Sequence, residues 1–361
     1  MSTPLIATPE DLHAAVARWA QAPWLTVDTE FVRVDTYHAR LCLIQIGDGR
    51  EAACVDTLAL SDLTPLLDLL ESPHSIKVFH APGQDLEILV RLRGRGPQPL
   101  FDTQIAATLL GIGDQIGYAG LIEKRLGIVV DKSLSRTDWA RRPLREAELA
   151  YAAADVSHLA TIYPVMQEEL IACGRLAWLA EDCARQVEPA QYATHPEDAW
   201  QRLKGLARLS PRAQVVAAAL CAWRETEAQA RDRPRKWIVE DDAIYRLAER
   251  RPQSLAELET LAVLPPRTLE RHGEALLEAV AQGCAAPERW LARDDEFDPA
   301  QKERLKALQL RVQARAAELN LPASFLAPRA ELVALVRSGA AADVQVLRGW
   351  RREVCGLGLL A

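Results

Sequence analysis

The sequence predicts an α/β domain with a mixed sheet followed by a wholly helical region. Up to about residue 190, short apolar or β-branched runs alternate with helix-spaced segments; beyond it the strand-like runs stop and helix-capping signals recur. At 361 residues the chain is also too long for one ordinary core, since domains hold roughly 100–200 residues each.

Trp24 to Phe31, Leu41 to Ile46 and Ala52 to Val55 read as three sequential antiparallel strands, with Gly47-Asp48-Gly49 turning the chain between the last two. A helix-like stretch from Leu63 to Leu70 precedes another strand, Ser75 to Phe79. Helical spacing then covers Gln84 to Arg93, Thr103 to Leu110, Gly120 to Leu126 and Arg145 to Leu170, the last expected to break near Pro164. In the second half, Ser210-Pro211 and Asp298-Pro299 each place a capping residue before a proline, opening long helices toward Arg231 and Asn320. Ser254-Leu255-Ala256-Glu257 has the spacing of a capping box, and Gly283 is placed to stop the helix begun near Pro266. Shorter helices follow each long one, Asp241 to Arg250 and Pro328 to Arg337. This reads as a weak repeat of two helical bundles in tandem.

The composition is globular, with 49% hydrophobic and 26% charged residues. The longest apolar run, Val215 to Trp223, falls far short of the roughly 20 residues that a membrane-spanning helix needs. No secretory leader is readable at the N-terminus. Seven cysteines, an odd number without a C-x-x-C pair, suit reduced thiols and a cytoplasmic location rather than zinc or disulfide frameworks. The net charge of −7 argues at face value against a polyanionic partner. Its distribution qualifies that: residues 1–190 hold 17 basic and 26 acidic side chains, whereas residues 191–361 hold 26 and 24.

Carboxylates carry the chemistry. Asp28 and Glu30 stand two apart at the end of a strand and so share a face. Acidic residues are depleted within strands, and two so close repel unless a cation lies between them. Asp85 follows the strand ending at Phe79, across His80-Ala81-Pro82-Gly83; taken alone it also reads as a solvated or capping acid. Tyr151 and Asp155 form an i, i+4 pair on one helical face, and the alanines between them permit close approach to another element. Hard oxygen donors without clustered Cys or His suit Mg²⁺ or Mn²⁺, and two such ions can clamp an in-line displacement at phosphorus. A tyrosine, with a phenol pKa of about 10, is a poor base at neutral pH but a good group to orient water.

Val27-Asp28-Thr29-Glu30-Phe31, His80-Ala81-Pro82-Gly83-Gln84-Asp85-Leu86 and Tyr151-Ala152-Ala153-Ala154-Asp155 resemble the three exonuclease motifs of the DEDD superfamily, tyrosine subclass. With Arg40-Leu41-Cys42-Leu43-Ile44-Gln45-Ile46 and Phe101-Asp102-Thr103-Gln104, the chain is similar to the bacterial ribonuclease D family over nearly its whole length. The resemblance implies an RNase H-like exonuclease domain over residues 1–190, an RNA-binding HRDC domain over 197–285 and a second, divergent HRDC-like helical domain over 293–361. It also implies two divalent metal ions and stepwise 3′→5′ hydrolysis of RNA, precursor tRNA above all, to nucleoside 5′-monophosphates. Carried over, Asp28 bridges both ions, Glu30 and Asp155 complete the water-activating site, Asp85 supports the second ion and Tyr151 orients the nucleophile. Phe31, Gln45 and His80 are candidate contacts to the terminal nucleotide, with His80 also readable as a satisfied histidine at a strand end.

Two stretches are basic enough to hold RNA: residues 124–145, Lys132 among them, with seven basic and two acidic side chains, and residues 201–236 with nine and three. Trp237 reads as a core residue opening the next helix, with base stacking as the alternative. A DNA-directed exonuclease and an inactive RNA-binding scaffold are the competing functions. No protein partner is inferable, and a monomer is expected.

Overall fold

The computed structural model describes residues 3–131, 133–292 and 297–360. These form two compact units, one holding residues 3–32, 41–192 and 297–360, the other 33–40 and 193–292.

The first unit is built on a six-stranded mixed sheet in the order β1-β4-β3-β2-β5-β6, with β1 Leu5–Ile6, β2 Trp24–Val32, β3 Arg40–Gly47, β4 Ala52–Asp56, β5 Ile76–Phe79 and β6 Leu100–Asp102. β3 and β4 pair antiparallel, while β2, β5 and β6 form a parallel ladder in register Thr26↔Val78↔Phe101. The helices are α1 Pro9–Trp19, α2 Thr64–Glu71, α3 Gly83–Arg93, α4 Thr103–Leu109, α5 Tyr118–Leu126, α6 Glu146–Ala172 and α7 Leu176–Gln186.

The expected break at Pro164 does not occur, and α6 runs through it. An interior proline forfeits a hydrogen bond at about 3 kcal/mol. Burial of Leu159, Ile162, Tyr163, Met166 and Leu170 on both sides offsets that cost, with Tyr163 set edge-on against Phe101 at 4.9 Å. At the other end of the helix, Arg141 and Arg145 both grip the buried Glu148. Against the penalty of burial, the Arg145 N–H and the two guanidiniums hold its carboxyl down at about 2.

In the second unit, α8 Pro211–Ala230, α9 Arg235–Ile238, α10 Asp241–Arg250, α11 Leu255–Thr260 and α12 Pro266–Ala285 enclose a separate core around Val216, Leu220, Ile244, Leu247, Leu276 and Val280. Ser210 caps α8 as expected, accepting from Ala213 N at 3.3 Å. The box at Ser254 stays half open, because Glu257 accepts from Gln253 N rather than from the cap residue. Gly283 does not stop α12. It lies within the helix where a Cβ would sit 2.6 Å from Val216 Cα, so the glycine permits the close approach of α8.

Residues 297–360 supply α13 Pro299–Leu319, α14 Ala323–Leu326, α15 Arg329–Ser338 and a final helical run over 349–360. The packing differs from three consecutive domains, because this segment shares one apolar core with the sheet: Leu305, Leu308, Leu326, Val346 and Trp350 are continuous with Leu109, Leu179 and Cys183. The junction with α7 is specific. Trp350 stacks on Trp178 at 4.5 Å and 6°, Arg351 binds the buried Asp182 at 2.5 Å, and Glu181 accepts from Trp350 N at 3.0 Å. Gly349 makes this possible, since it takes a φ of +43° and a Cβ there would collide with the Glu181 carboxylate.

Among the described residues no helix is long and apolar enough to cross a membrane, and all seven cysteines are free thiols. Replacing one partner of a buried ion pair strands the other. Arg351→Met is therefore expected to cost about 2–4 kcal/mol of unfolding free energy, Arg185 remaining as a partial partner for Asp182. Denaturant titration followed by tryptophan fluorescence checks this, and a loss under about 1 kcal/mol would show that the pair is not an anchor.

Candidate active site

Asp28 and Glu30 project from the same face of β2, a central strand, and α6 crosses that face closely enough to bring Asp155 to them. The crossing is set by small groups. Ala152 and Ala153 are buried, Gly47 leaves no room for a Cβ beside Thr26 Oγ1, and Thr26 donates to the Val156 carbonyl at 2.9 Å. One carboxylate oxygen from each of Asp28, Glu30 and Asp155 lies within 4.8 Å of the others. Among the described residues this is the one group of three or more His, Cys, Asp or Glu that converges so tightly.

Asp85 enters from the first turn of α3. Its carboxylate is hydrogen-bonded by the Thr29 hydroxyl and stands outside the closest trio, though near enough to repel Asp28. Burial, then repulsion from Asp85, Asp155 and Glu30, raises Asp28 well above the usual carboxylate range. Burial, then Asp155 and Asp85, pushes Glu30 up to about 8, and burial takes Asp155 to about 6 despite a hydrogen bond from Tyr118. Such a cluster gains most by binding a hard cation, and the all-oxygen donor set fits a divalent metal.

The acids open into a cleft of about 540 Å³ lined by Asp28, His80, Tyr118, Ser135, Tyr151 and Asp155 among others. Tyr151, one turn before Asp155, has its phenol pushed up to about 12 by burial and the neighbouring acids. It stays protonated at neutral pH and can orient a nucleophile without acting as a base. His80 Nδ1 lies 2.9 Å from Thr103 Oγ1, and burial lowers its pKa. Of the other two nucleotide-contact candidates, Phe31 is half-buried and Gln45 is fully buried within β3, and neither lines the cleft.

Residues 4–171 match the 3′-5′ exonuclease family and residues 213–280 the HRDC domain. Ribonuclease D of Sphingobium indicum is 40% identical over 98% of this chain and 92% of its own length. That of Zymomonas mobilis is 41% identical, with the same coverage of both chains. The chain belongs to the ribonuclease D family. The crystal structure of Escherichia coli RNase D, an exoribonuclease involved in structured RNA processing, superposes with a TM-score of 0.89 at 31% identity, covering 99% of this chain and 98% of that one. As a ribonuclease D, the chain is a 3′→5′ exoribonuclease of mixed-sheet fold with an HRDC domain, dependent on divalent metal and acting on RNA.

Two features of the chain depart from the sequence reading. Much of the basic charge expected to face RNA is spent inside each unit. In the first unit Arg125 pairs with Glu169, Arg142 with Asp56, and Arg141 and Arg145 with Glu148; Lys132 lies outside the described residues. In the second, Arg202 and Arg235 share Glu225, Arg231 pairs with Glu227 and Arg233 with Asp35. Trp237 is 61% exposed rather than core, because Ile238 takes the buried position of the single-turn α9.

The sequence reading also passed over Thr29 and Tyr118. The Tyr118 hydroxyl donates to the Asp155 carbonyl at 3.1 Å and lies 2.9 Å from His158 Nδ1. Thr29 sits inside a motif already noted for its acids, whereas nothing near Tyr118 in the sequence ties it to the site.

Glu30 moves from an ordinary 4.5 to about 8 and Asp155 from 3.8 to about 6 on folding. The folded state therefore binds more protons than the unfolded chain across that window, and its stability falls as pH rises through it. Under chelation, the thermal midpoint is expected to drop between about pH 5 and about pH 8.5, with Glu30→Gln flattening the drop. A wild-type midpoint that is level or rising there, with Glu30→Gln showing the same slope, contradicts this account.

Proposed function

We propose that the chain shortens the 3′ ends of precursor tRNA and similar structured RNAs, releasing nucleoside 5′-monophosphates, with two divalent ions, Mg²⁺ or Mn²⁺, in the acidic site. In this reading Asp28, Glu30, Asp155 and Asp85 would hold the ions, Asp28 serving both, Glu30 and Asp155 the one that would activate water and Asp85 the one that would stabilise the leaving group. When bound, such ions neutralise the clustered carboxylates and supply Lewis-acid stabilisation of charge at phosphorus. The protein's own contribution is to hold the carboxylates together, partly withdrawn from water, and to present the Tyr151 hydroxyl as a hydrogen-bonding group for the attacking water. His80, with its ring at the cleft wall, and Phe31 beside the acids are assigned to the terminal nucleotide. Gln45, fully buried, supports the strand next to the site.

The observation that carries the reading is the convergence of Asp28, Glu30 and Asp155 within 4.8 Å, with Tyr151 lining the same cleft. The choice of structured RNA is supported by what the E. coli relative acts on. The seven free thiols are consistent with work in the cytoplasm, and we assign the chain as a monomer there.

The test incubates wild type and Asp155→Asn with a 3′-extended tRNA and with a matched single-stranded DNA, with divalent metal or with chelator. Metal-dependent loss of single 3′ nucleotides from the RNA is expected from wild type only, with Asp155→Asn slower by at least about 100-fold. Equal activity in Asp155→Asn, or activity that survives chelation, overturns the site. A preference for the DNA overturns the substrate assignment.

A further inference from the structure

A tyrosine that orients a nucleophile must itself be oriented, and nothing on α6 does this for Tyr151. Among the described residues no side chain hydrogen-bonds its hydroxyl, so packing alone sets the ring. The packing partner comes from the segment before α6: Trp139, 3% exposed, stacks on Tyr151 with centroids 6.3 Å apart and planes at 27°. Trp139 belongs to a small core of its own, with Leu43, Cys54, Leu144, Leu149 and Ala152, separate from the main core of the unit.

One guanidinium fastens this tryptophan. Arg142 meets both oxygens of Asp56 at the end of β4, with Nε and one terminal nitrogen each donating at 2.7 Å. The same terminal nitrogen donates to the Cys42 carbonyl on β3 at 2.8 Å, and the other to the Trp139 carbonyl at 2.7 Å. A planar five-donor fork can satisfy two carboxylate oxygens and two carbonyls at once, one on a strand and one three residues back along the chain, which a lysine cannot. Asp56 is 4% exposed and also accepts from Leu58 N and Ala59 N, so the anchor point is itself fixed.

We propose that Trp139, locked to the sheet by the Arg142–Asp56 pair, is a positioning residue for Tyr151, holding its ring so that the hydroxyl faces the acidic cluster. This rests on the proposed role of Tyr151. It gives the basic loop before α6 a task other than gripping phosphate: Arg142 serves the chemistry through the tryptophan.

The test is steady-state kinetics on a short unpaired RNA with saturating divalent metal. Trp139→Leu is expected to lower kcat about tenfold with KM unchanged, since sub-ångström misplacement of a positioned group costs rate rather than binding. Trp139→Phe, which keeps an aromatic face, is expected to recover most of kcat, and Arg142→Lys to behave like Trp139→Leu. In a Tyr151→Phe background, Trp139→Leu is expected to cause no further fall, because the hydroxyl it places is already gone. Circular dichroism and thermal midpoints confirm folding of each variant; if Trp139→Leu does not fold, Arg142→Lys replaces it in the cycle. A damaging Tyr151→Phe alongside wild-type kcat in Trp139→Leu overturns the positioning role alone, as does a full additional loss in the double variant. Wild-type kcat in Tyr151→Phe overturns the role of Tyr151 itself, and the positioning role with it.

Discussion

Mutual repulsion among buried carboxylates is the constraint from which the rest of the catalytic unit follows. Asp28, Glu30 and Asp155 would separate in a loosely packed protein, since Asp155 and Asp85 raise the proton affinity of both Asp28 and Glu30 and all three of the converging acids are partly withdrawn from water. They are held together by an approach of helix to strand that only small groups allow: the alanines after Tyr151, the bare Cα of Gly47 and a threonine hydroxyl spanning to the Val156 carbonyl. The energy for that approach comes from elsewhere on α6, from the apolar face that buries Leu159 through Leu170. The fold thus spends hydrophobic burial at one end of a helix to force like charges together at the other, which is what a cation site requires before its cation arrives.

How much of this was readable beforehand depended on the range of the interaction. Strands β2 to β5 stand within two residues of where alternation and turn residues put them, and the four acids and the tyrosine were legible because their spacing fits one strand face and one helix turn. The proline in α6 was misread because a local rule was weighed without the tertiary packing that overrides it. Trp237 was misread for the converse reason: a large apolar side chain was assigned to the core, while its smaller neighbour Ile238 fills that place. The Arg142–Asp56 pair joins residues 86 apart in sequence, so no window-based reading could have connected them. The same holds for the use of basic residues. A charge count sees cations facing solvent, whereas Glu148 and Glu225 each absorb two of them.

The two halves of the helical region, alike in their capping signals, have different fates for a physical reason. Residues 193–292 have enough apolar faces to close a core among themselves. Residues 297–360 instead share theirs with α7 and the sheet, and commit Trp350 and Arg351 to a junction that buries an ion pair. A weak sequence repeat therefore does not imply two independent units, because independence is decided by where the apolar surface goes.

That shared core also bears on how the chain is made. A unit whose sheet is complete by residue 102 still lacks Trp350, its stacking partner for Trp178, until about 250 further residues have been made. The segment 193–292, by contrast, is made before residues 297–360 and, with residues 33–40, owns its core, so it can fold while the larger unit is still open. Contacts that span some 170 residues close slowly. The larger unit is consequently closed by residues 297–360, and a nascent or truncated chain ending near residue 290 would carry every proposed catalytic residue on an unclosed core.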